Sequence, residues 1–109
     1  MKRGEVWTQS GGPGYAGKPR PVVIVQSDLL TQTDSVVTCL FTTMGAEAIP
    51  SRVSIAASKA NGLHEDSDVM ADKVVAVSRK KLGRRLGAIT QADMARIEAA
   101  LLLVLGFEG

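Results

Sequence analysis

The stretch 14-GYAGKPRPVVIVQS-27 decides how this sequence folds, because it joins a glycine- and proline-rich segment directly to a β-branched run. Its second half, 22-VVIVQ-26, is almost continuously apolar and predicts a strand that is buried on both faces. Pro19 and Pro21 each fix their own φ at about −65° and push the preceding residue toward extended geometry. Arg20 therefore stands on a stiff, extended segment, either as a solvated residue at the start of an edge strand or as an arginine held for a fixed contact.

Other segments of the chain have the composition of short strands. The patterns predict strands at 4-GEVWTQS-10, 36-VVTCLFTT-43, 51-SRVSIAAS-58 and 69-VMADKVVAVS-78, and a turn followed by a closing strand at 80-KKLGRRLGAIT-90. In the third of these, Val53 and Ile55 share one face, as in a half-exposed strand. The fourth is expected to bend near Asp72. Residues 59–68 form a polar loop with an Asn-Gly turn signal.

The C-terminal residues have a different period. Thr90 is suited to cap a helix, and Asp93 complements the positive end of the helix dipole. Apolar residues follow at helical spacing, and Gly106 is a natural stop: Met94, Ile97, Leu101, Val104 and Leu105. We therefore expect one domain, residues 1–109, that is mainly β, with a small curled sheet or barrel over about residues 2–89 and a helix over about residues 91–106.

Composition narrows the class of protein. With 109 residues and 45% hydrophobic side chains, the chain suits one globular domain with one core. The run 99-AALLLVLGF-107 is too short to span a bilayer, and MKRGEVW lacks the apolar segment of a secretory signal. A single cysteine, Cys39, excludes an intrachain disulfide or a cysteine-based metal site. These features favour a cytoplasmic location.

The basic residues are unevenly distributed. The formal net charge is only +2, yet 79-RKKLGRR-85 holds five of the 13 basic residues, and Lys18 with Arg20 forms a second basic spot. A clustered patch on a nearly neutral protein favours contact with a polyanion. A solvated charged turn is the alternative for residues 79–85.

Few residues in this sequence are of types that usually carry out acid–base or metal-dependent catalysis. His64 is the only histidine, which excludes an acid–base pair of histidines within one chain. The acidic run 65-EDSD-68 fits a charged loop better than a hard-metal site, and 11-GGPG-14 lacks the lysine of a P-loop. We therefore expect no metal or other cofactor.

The groups that remain available for catalysis are arginine guanidinium, hydroxyl and amide groups. Arginine is a poor base but a good clamp for a phosphate whose charge grows in a transition state. Thr42 and Thr43 end a predicted strand and could donate to the same phosphate oxygens, although ordinary β-propensity also explains them. Single-stranded RNA supplies its own nucleophile, the 2′-hydroxyl, so that cleavage needs no metal. Arginine with threonine therefore suggests a phosphodiester site.

Four ordered segments carry a resemblance to a known family. They are KRGEVW at 2–7, AGKPRPVVIVQ at 16–26, VVTCLFTT at 36–43 and DVMADKVVAVSRKKLGRRLGAIT at 68–90. In this order, with the terminal helix, the chain resembles the MazF/PemK family of toxin endoribonucleases of bacterial toxin–antitoxin systems.

The resemblance implies an SH3-like barrel with a C-terminal helix, acting as a homodimer. It implies metal-independent cleavage of single-stranded RNA to 2′,3′-cyclic phosphate and 5′-hydroxyl ends, and a cognate antitoxin protein as partner. The family's catalytic arginine and threonine fall on Arg20 and Thr42.

The chain also departs from the family pattern. At 13-PGY-15 it lacks the family's loop carboxylate, Lys18-Pro19 adds one residue before Arg20, and Lys73 replaces a glutamine. Tyr15 is a candidate for stacking on a base and Lys18 for binding phosphate. Further candidate RNA contacts are Thr43, Lys80, Lys81 and Arg85.

Two other functions are weighed against cleavage. Gyrase-poisoning CcdB-like toxins of the same fold rely on a tryptophan near the C-terminus, whereas the only tryptophan here is Trp7. A non-catalytic RNA-binding or scaffold barrel would not need both Arg20 and Thr42.

Trp7 is expected to pack on the barrel or on a dimer face, with the RNA groove as the alternative. Leu101, Leu102 and Leu103 point in three directions, which favours a second copy as partner.

Overall fold

The computed structural model describes residues 1–10, 18–45 and 48–107. Within these residues, six strands precede one long helix: β1 Glu5–Gln9, β2 Arg20–Ile24, β3 Ser35–Thr43, β4 Arg52–Ile55, β5 Ser67–Ser78, β6 Leu82–Ala88 and α1 Gln91–Leu105. A single 3-10 turn, Arg79–Lys81, joins β5 to β6. The predicted strands and helix are therefore present, with β2 beginning at Arg20 rather than Val22.

The strands form one antiparallel sheet in the order β4-β5-β3-β2-β1-β6. Among the described residues no ladder joins the edge strands β4 and β6, so the sheet is curled but not closed. The loop after β4 reaches across instead, and the Ala88 amide donates to the Ala60 carbonyl at 2.8 Å. This architecture confirms the predicted class, mainly β and SH3-like with a C-terminal helix, although the predicted small barrel is an open curled sheet in the described residues.

The inner face of the sheet packs on α1. Val6, Val23 and Val69 belong to one buried cluster with Ile97 and further core residues. The predicted caps define the helix: Thr90 Oγ1 accepts the Asp93 amide at 3.1 Å, and Gly106 adopts φ +79°. An N-cap hydrogen bond of this kind typically contributes about 1 kcal/mol. Neither α1 nor any other helix in the described residues is long and apolar enough to cross a membrane.

The outer face carries a second apolar cluster. Val22 and Ile24 point to this face and are at most 1% exposed, whereas Val23 points to the inner core. This confirms that the run 22-VVIVQ-26 is buried on both sides. The other members of the outer cluster are Val36, Val77 and Leu82, with Trp7 and Leu40 packed against them.

The predicted bend of β5 is a large bulge. Adjacent residues Cys39 and Leu40 of β3 pair with Val74 and Met70, so residues 71–73 are inserted without partners on β3. The insertion brings Lys73 into the groove described below.

The single cysteine has no catalytic character. Cys39 is fully buried. Burial, with a smaller contribution from the Asp72 carboxylate, raises the pKa of its thiol to about 12. The thiol therefore stays protonated and acts as a small core side chain.

A cationic groove as the candidate active site

A groove with a volume of about 470 Å³ opens on the outer face of the sheet. We call it the Arg20–Thr42 groove, because it brings together the two residues to which the family resemblance assigns the catalytic roles. Strands β1 to β5 all contribute to its lining, which consists of Gln9, Arg20, Pro21, Leu40, Phe41, Thr42, Arg52, Met70, Lys73, Val75 and Val77.

Strand register explains why Arg20 and Thr42 meet. Val22 on β2 pairs with Leu40 on β3. Arg20 lies two residues before Val22, and Thr42 lies two residues after Leu40. The two side chains therefore occupy matching positions at the same end of this antiparallel pair and on the same face of the sheet. Gln9 of β1 pairs with Arg20 on its other side. The juxtaposition therefore follows from backbone pairing rather than from a flexible loop.

The groove is strongly electropositive. Its lining contains three cationic side chains, Arg20, Arg52 and Lys73, and none of the described lining residues is Asp or Glu. Within the described part of the chain, the side chains of Arg52 and Lys73 make no hydrogen bond or ion pair. Arg52 and Lys73 are thus available to the oxygens of a polyanion.

Arg52 and Lys73 were missing from the predicted site. Arg52 faces outward on β4 because Val53 and Ile55 alternate into the core, and it pairs with Met70 of the groove. The alternation in 51-SRVSIAAS-58 indicates an outward side chain, but not what lies opposite it. Lys73 reaches the groove through the β5 bulge.

The acidic loop has a structural role. Asp68 is 3% exposed and accepts hydrogen bonds from the Ser54 hydroxyl at 2.8 Å and the Gly45 amide at 3.1 Å. Asp66 accepts the Ala57 amide at 2.8 Å. Over residues 1–10, 18–45 and 48–107, no three His, Cys, Asp or Glu side chains form a group suited to a metal ion. These two carboxylates instead tie neighbouring segments to the ends of β4 and β5.

The basic turn lies beside the groove but does not line it. Lys80 and Lys81 are exposed in the 3-10 turn, and the Lys81 carbonyl accepts the Ser10 amide at 2.9 Å. Gln9, the neighbour of Ser10, pairs with both Arg20 and Leu82. The turn thus lies two strands from Arg20, and RNA contact by the two lysines stays a prediction.

Arg85 has an intramolecular partner. Its Nε donates to Glu5 Oε2 at 2.9 Å, and the Trp7 indole donates to Glu5 Oε1 at 3.0 Å. Burial alone would raise the pKa of Glu5, but hydrogen bonds from the Lys2 amide, Trp7 and Arg85, together with the N-terminal charge, lower it to about 2. Trp7 itself packs on the outer cluster, in agreement with the packing on the barrel expected from the sequence.

This network predicts acid sensitivity. The depressed pKa of Glu5 contributes stability above its ordinary value of 4.5, which is lost as pH falls through about 2. After allowance for solvent screening, we expect Glu5→Gln to remove on the order of 1–2 kcal/mol of the pH-dependent stability between about pH 5 and pH 2. Urea unfolding at several pH values measures this effect. Glu98→Gln, which removes an exposed partner of Arg3, is the control, and identical pH profiles for wild type and Glu5→Gln would contradict the prediction.

The remaining predicted contacts lie around the groove. Lys18 is exposed two residues before Arg20, and Thr43 is exposed at the end of β3, where it pairs with Ser67. Neither lines the groove. Tyr15 lies outside the described residues. The proposed RNA contacts of these three residues stay predictions.

Fold and groove together define a class of protein. A small curled sheet presents an arginine and a threonine from adjacent strands in a cationic groove, which suits binding of a phosphodiester chain. Residues 2–105 match the model of the PemK-like, MazF-like toxins of type II toxin–antitoxin systems. The chain belongs to this family.

Known relatives agree with this assignment. The probable endoribonuclease MazF of Mycolicibacterium smegmatis is 41% identical over 109 residues and is matched over 100% of both chains. Endoribonuclease MazF9 of Mycobacterium tuberculosis is 29% identical, with 94% of each chain matched. A solved mycobacterial endoribonuclease, in complex with its cognate antitoxin, superposes with a TM-score of 0.82 at 30% identity over 100% of this chain and 98% of that one.

Proposed function

We propose that this endoribonuclease toxin cleaves single-stranded RNA in the Arg20–Thr42 groove, without a metal or other cofactor. The products would be a 2′,3′-cyclic phosphate and a 5′-hydroxyl end. One observation carries the proposal: Arg20 and Thr42 stand at matching positions of adjacent strands and line one cationic groove.

The chemistry uses the substrate's own nucleophile. The 2′-oxygen attacks the adjacent phosphorus as its proton passes to solvent water, the bond from phosphorus to the 5′-oxygen breaks, and the leaving oxygen takes up a proton from water. Negative charge grows on the non-bridging phosphate oxygens during this step. The Arg20 guanidinium offers them charge-assisted hydrogen bonds, and the Thr42 hydroxyl donates a further one. Both groups are held by sheet pairing, which keeps the cost of positioning them low.

Arg52 and Lys73 extend phosphate binding beyond the cleaved bond. In the sheet order β4-β5-β3-β2, the strand that carries Arg52 lies three inter-strand spacings from the strand that carries Arg20. At about 4.8 Å per spacing, their backbones are roughly 14 Å apart, too far for both to serve one phosphate without long reaches. The RNA backbone would therefore run across the strands, with Arg52 and Lys73 on phosphates next to the cleaved one.

The double variant Arg52→Gln/Lys73→Gln should bind RNA with a weaker salt dependence. Each phosphate contact on single-stranded RNA contributes about 0.7 to the slope of log K against log salt, so loss of two contacts should lower the slope by about 1.4. Fluorescence anisotropy with an RNA carrying a 2′-deoxy nucleotide at the cut site measures binding without cleavage. Lys59→Gln, in an exposed loop, is the matched control. An unchanged slope in the double variant would exclude both residues.

The direct test is cleavage in the presence of EDTA. Purified protein is incubated with a long single-stranded RNA, and the fragment ends are mapped. Discrete cuts with cyclic-phosphate and 5′-hydroxyl ends are expected. Absence of cutting by folded wild-type protein would contradict the proposal and favour a non-catalytic binding barrel.

The exposed apolar and cationic surfaces of the protein indicate which partners it binds. At the end of α1, four apolar side chains are 45–64% exposed, Leu102, Leu103, Leu105 and Phe107, which suits packing against a second copy. The protein is therefore proposed to act as a homodimer. An antitoxin with an acidic segment would complement the cationic groove. The proposed place of action is the cytoplasm, where single-stranded mRNA is available.

A further inference from the structure

A second cavity lies beside the groove and has no role in the proposed cleavage step. Its volume is about 320 Å³, within the usual range for small-ligand sites. We call it the His64 pocket, and its lining consists of Thr8, Pro19, Pro21, Gly62, Leu63, His64, Glu65, Ser67, Arg84 and Leu86. It therefore combines apolar surface with an imidazole, a carboxylate and a guanidinium.

The pocket and the groove share one corner of the sheet. Arg20 lines the groove, Pro19 lines the pocket, and Pro21 borders both. On β1 the same division holds, because Gln9 lines the groove and Thr8 the pocket. Neighbouring strand residues face opposite sides of the sheet, so the groove and the pocket lie on opposite faces and meet at the strand ends, where Pro21 borders both. An RNA chain that crosses this edge of the sheet at Arg20 would pass from the groove to the pocket. The catalytic candidate Arg20, between Pro19 and Pro21, therefore lies at the boundary between the groove and the His64 pocket.

The opposite wall of the pocket is rigid. Asn61 is 5% exposed, and its Oδ1 accepts the amides of Ser58 and Leu63, both at 3.0 Å. Its Nδ2 donates to the Ala56 carbonyl at 2.9 Å. Gly62 has φ +72°, and a β-carbon there would collide with the Leu86 backbone. Leu63 is buried, so the next residue, His64, projects from a fixed backbone.

The pocket offers what an unpaired base needs. Imidazole, guanidinium and proline surfaces are suited to stacking on a base. Within the described residues, the side chains of His64, Glu65 and Arg84 make no hydrogen bond or ion pair. The Arg84 amide donates to Thr8 Oγ1 at 2.9 Å, which leaves the Thr8 hydroxyl proton available to an acceptor. An ionised Glu65 carboxylate only accepts hydrogen bonds, so it favours the exocyclic amino groups of adenine, cytosine and guanine. The one donor on the uracil edge, N3–H, lies between two carbonyl oxygens that repel a carboxylate.

We propose that the His64 pocket binds one unpaired nucleobase flanking the cleaved bond, and that Glu65 selects adenine, cytosine or guanine over uracil at that position. The inference rests on the proposed function, because it takes RNA in the groove as given. His64 stacks on the base and takes no part in proton transfer.

The first test is kinetic. Cleavage is measured on RNAs randomised on both sides of the cut. His64→Ala should raise KM about tenfold, with a smaller change in kcat, and His64→Phe should restore KM because its ring still stacks. Glu65→Gln should weaken discrimination against uracil at one flanking position. Lys59→Ala is the control. Wild-type KM and sequence preference in both His64→Ala and Glu65→Gln would overturn the proposal.

The second test separates the pocket from the catalytic proposal. A non-cleavable oligonucleotide carries the fluorescent base 2-aminopurine at each flanking position in turn. Quenching at one position by wild-type protein, lost in His64→Ala and kept in His64→Phe, supports the pocket even where no cleavage is found. Cleavage by wild type without any His64-dependent quenching overturns the pocket and leaves the proposed function intact.

Discussion

Replacement of Arg20 by alanine is expected to lower kcat by about 10³-fold or more while the fold is preserved. A donor aimed at charge that develops in a transition state is worth about 10²–10³ in rate, and an arginine on a phosphoryl group up to about 10⁵. Arg20 is exposed at the first position of β2, so its removal leaves no cavity. The loss should therefore be catalytic, and single-turnover cleavage of a defined RNA measures it.

Two further variants make the Arg20 result specific. Arg20→Lys keeps the positive charge but loses the planar guanidinium, which presents paired N–H donors. It should therefore recover only part of the cleavage rate that is lost in Arg20→Ala. Arg96→Ala removes an exposed arginine of α1, whose partners are Asp93 and the Ser54 carbonyl, and should cleave like wild type. Circular dichroism confirms that each variant is folded. An Arg20→Ala protein that cleaves within tenfold of wild type would remove Arg20 from the catalytic step.

The choice of Arg20 among three groove cations follows from strand order and register. Arg20 is on β2, directly beside the strand that carries Thr42, whereas Arg52 is on β4 beyond β5. Lys73 is on β5, which also lies beside β3, but it adjoins Val74, whose partner Cys39 is three residues from Thr42. Arg20 is therefore the cation best placed to share one phosphate with the Thr42 hydroxyl, and the other two are better placed to bind the RNA chain on the β5 side.

Local signals made part of the fold predictable from sequence. The helix follows from Thr90, Asp93 and Gly106, whose capping roles act within one turn of each end. The strand at β2 follows from its β-branched run. The Arg20 and Thr42 pair was predicted because the family motif places each residue at a strand end.

Long-range pairing made the rest unpredictable. Arg52 enters the groove because β4 pairs with β5 in a register that sets it opposite Met70. Arg85 pairs with Glu5, 80 residues away along the chain, and no local pattern encodes that contact. The His64 pocket likewise depends on how the loop through Asn61 packs against β6. Sequence periodicity assigns a side chain to a face, but it does not reveal which strand lies beside it.

Replacement of Thr42 by valine is expected to have the second-largest effect, a loss of about 10² in kcat. Valine keeps the β-branched shape that suits a strand but removes the hydroxyl donor. Thr42 is half-buried in the groove wall, so a side chain of similar shape leaves the groove wall nearly unchanged. Binding of a non-cleavable RNA should change much less than the cleavage rate, because one neutral donor contributes little to ground-state affinity.

Serine at the same position tests the hydroxyl itself. Thr42→Ser retains the donor and should recover most of the lost rate, whereas a role limited to packing predicts that serine is the worse of the two replacements. Thr31→Val, in the exposed loop before β3, removes a hydroxyl outside the groove and is the matched control. If Thr42→Val cleaves as fast as wild type, the transition state is stabilised by Arg20 and the remaining cations alone, and Thr42 serves only as a strand residue beside them.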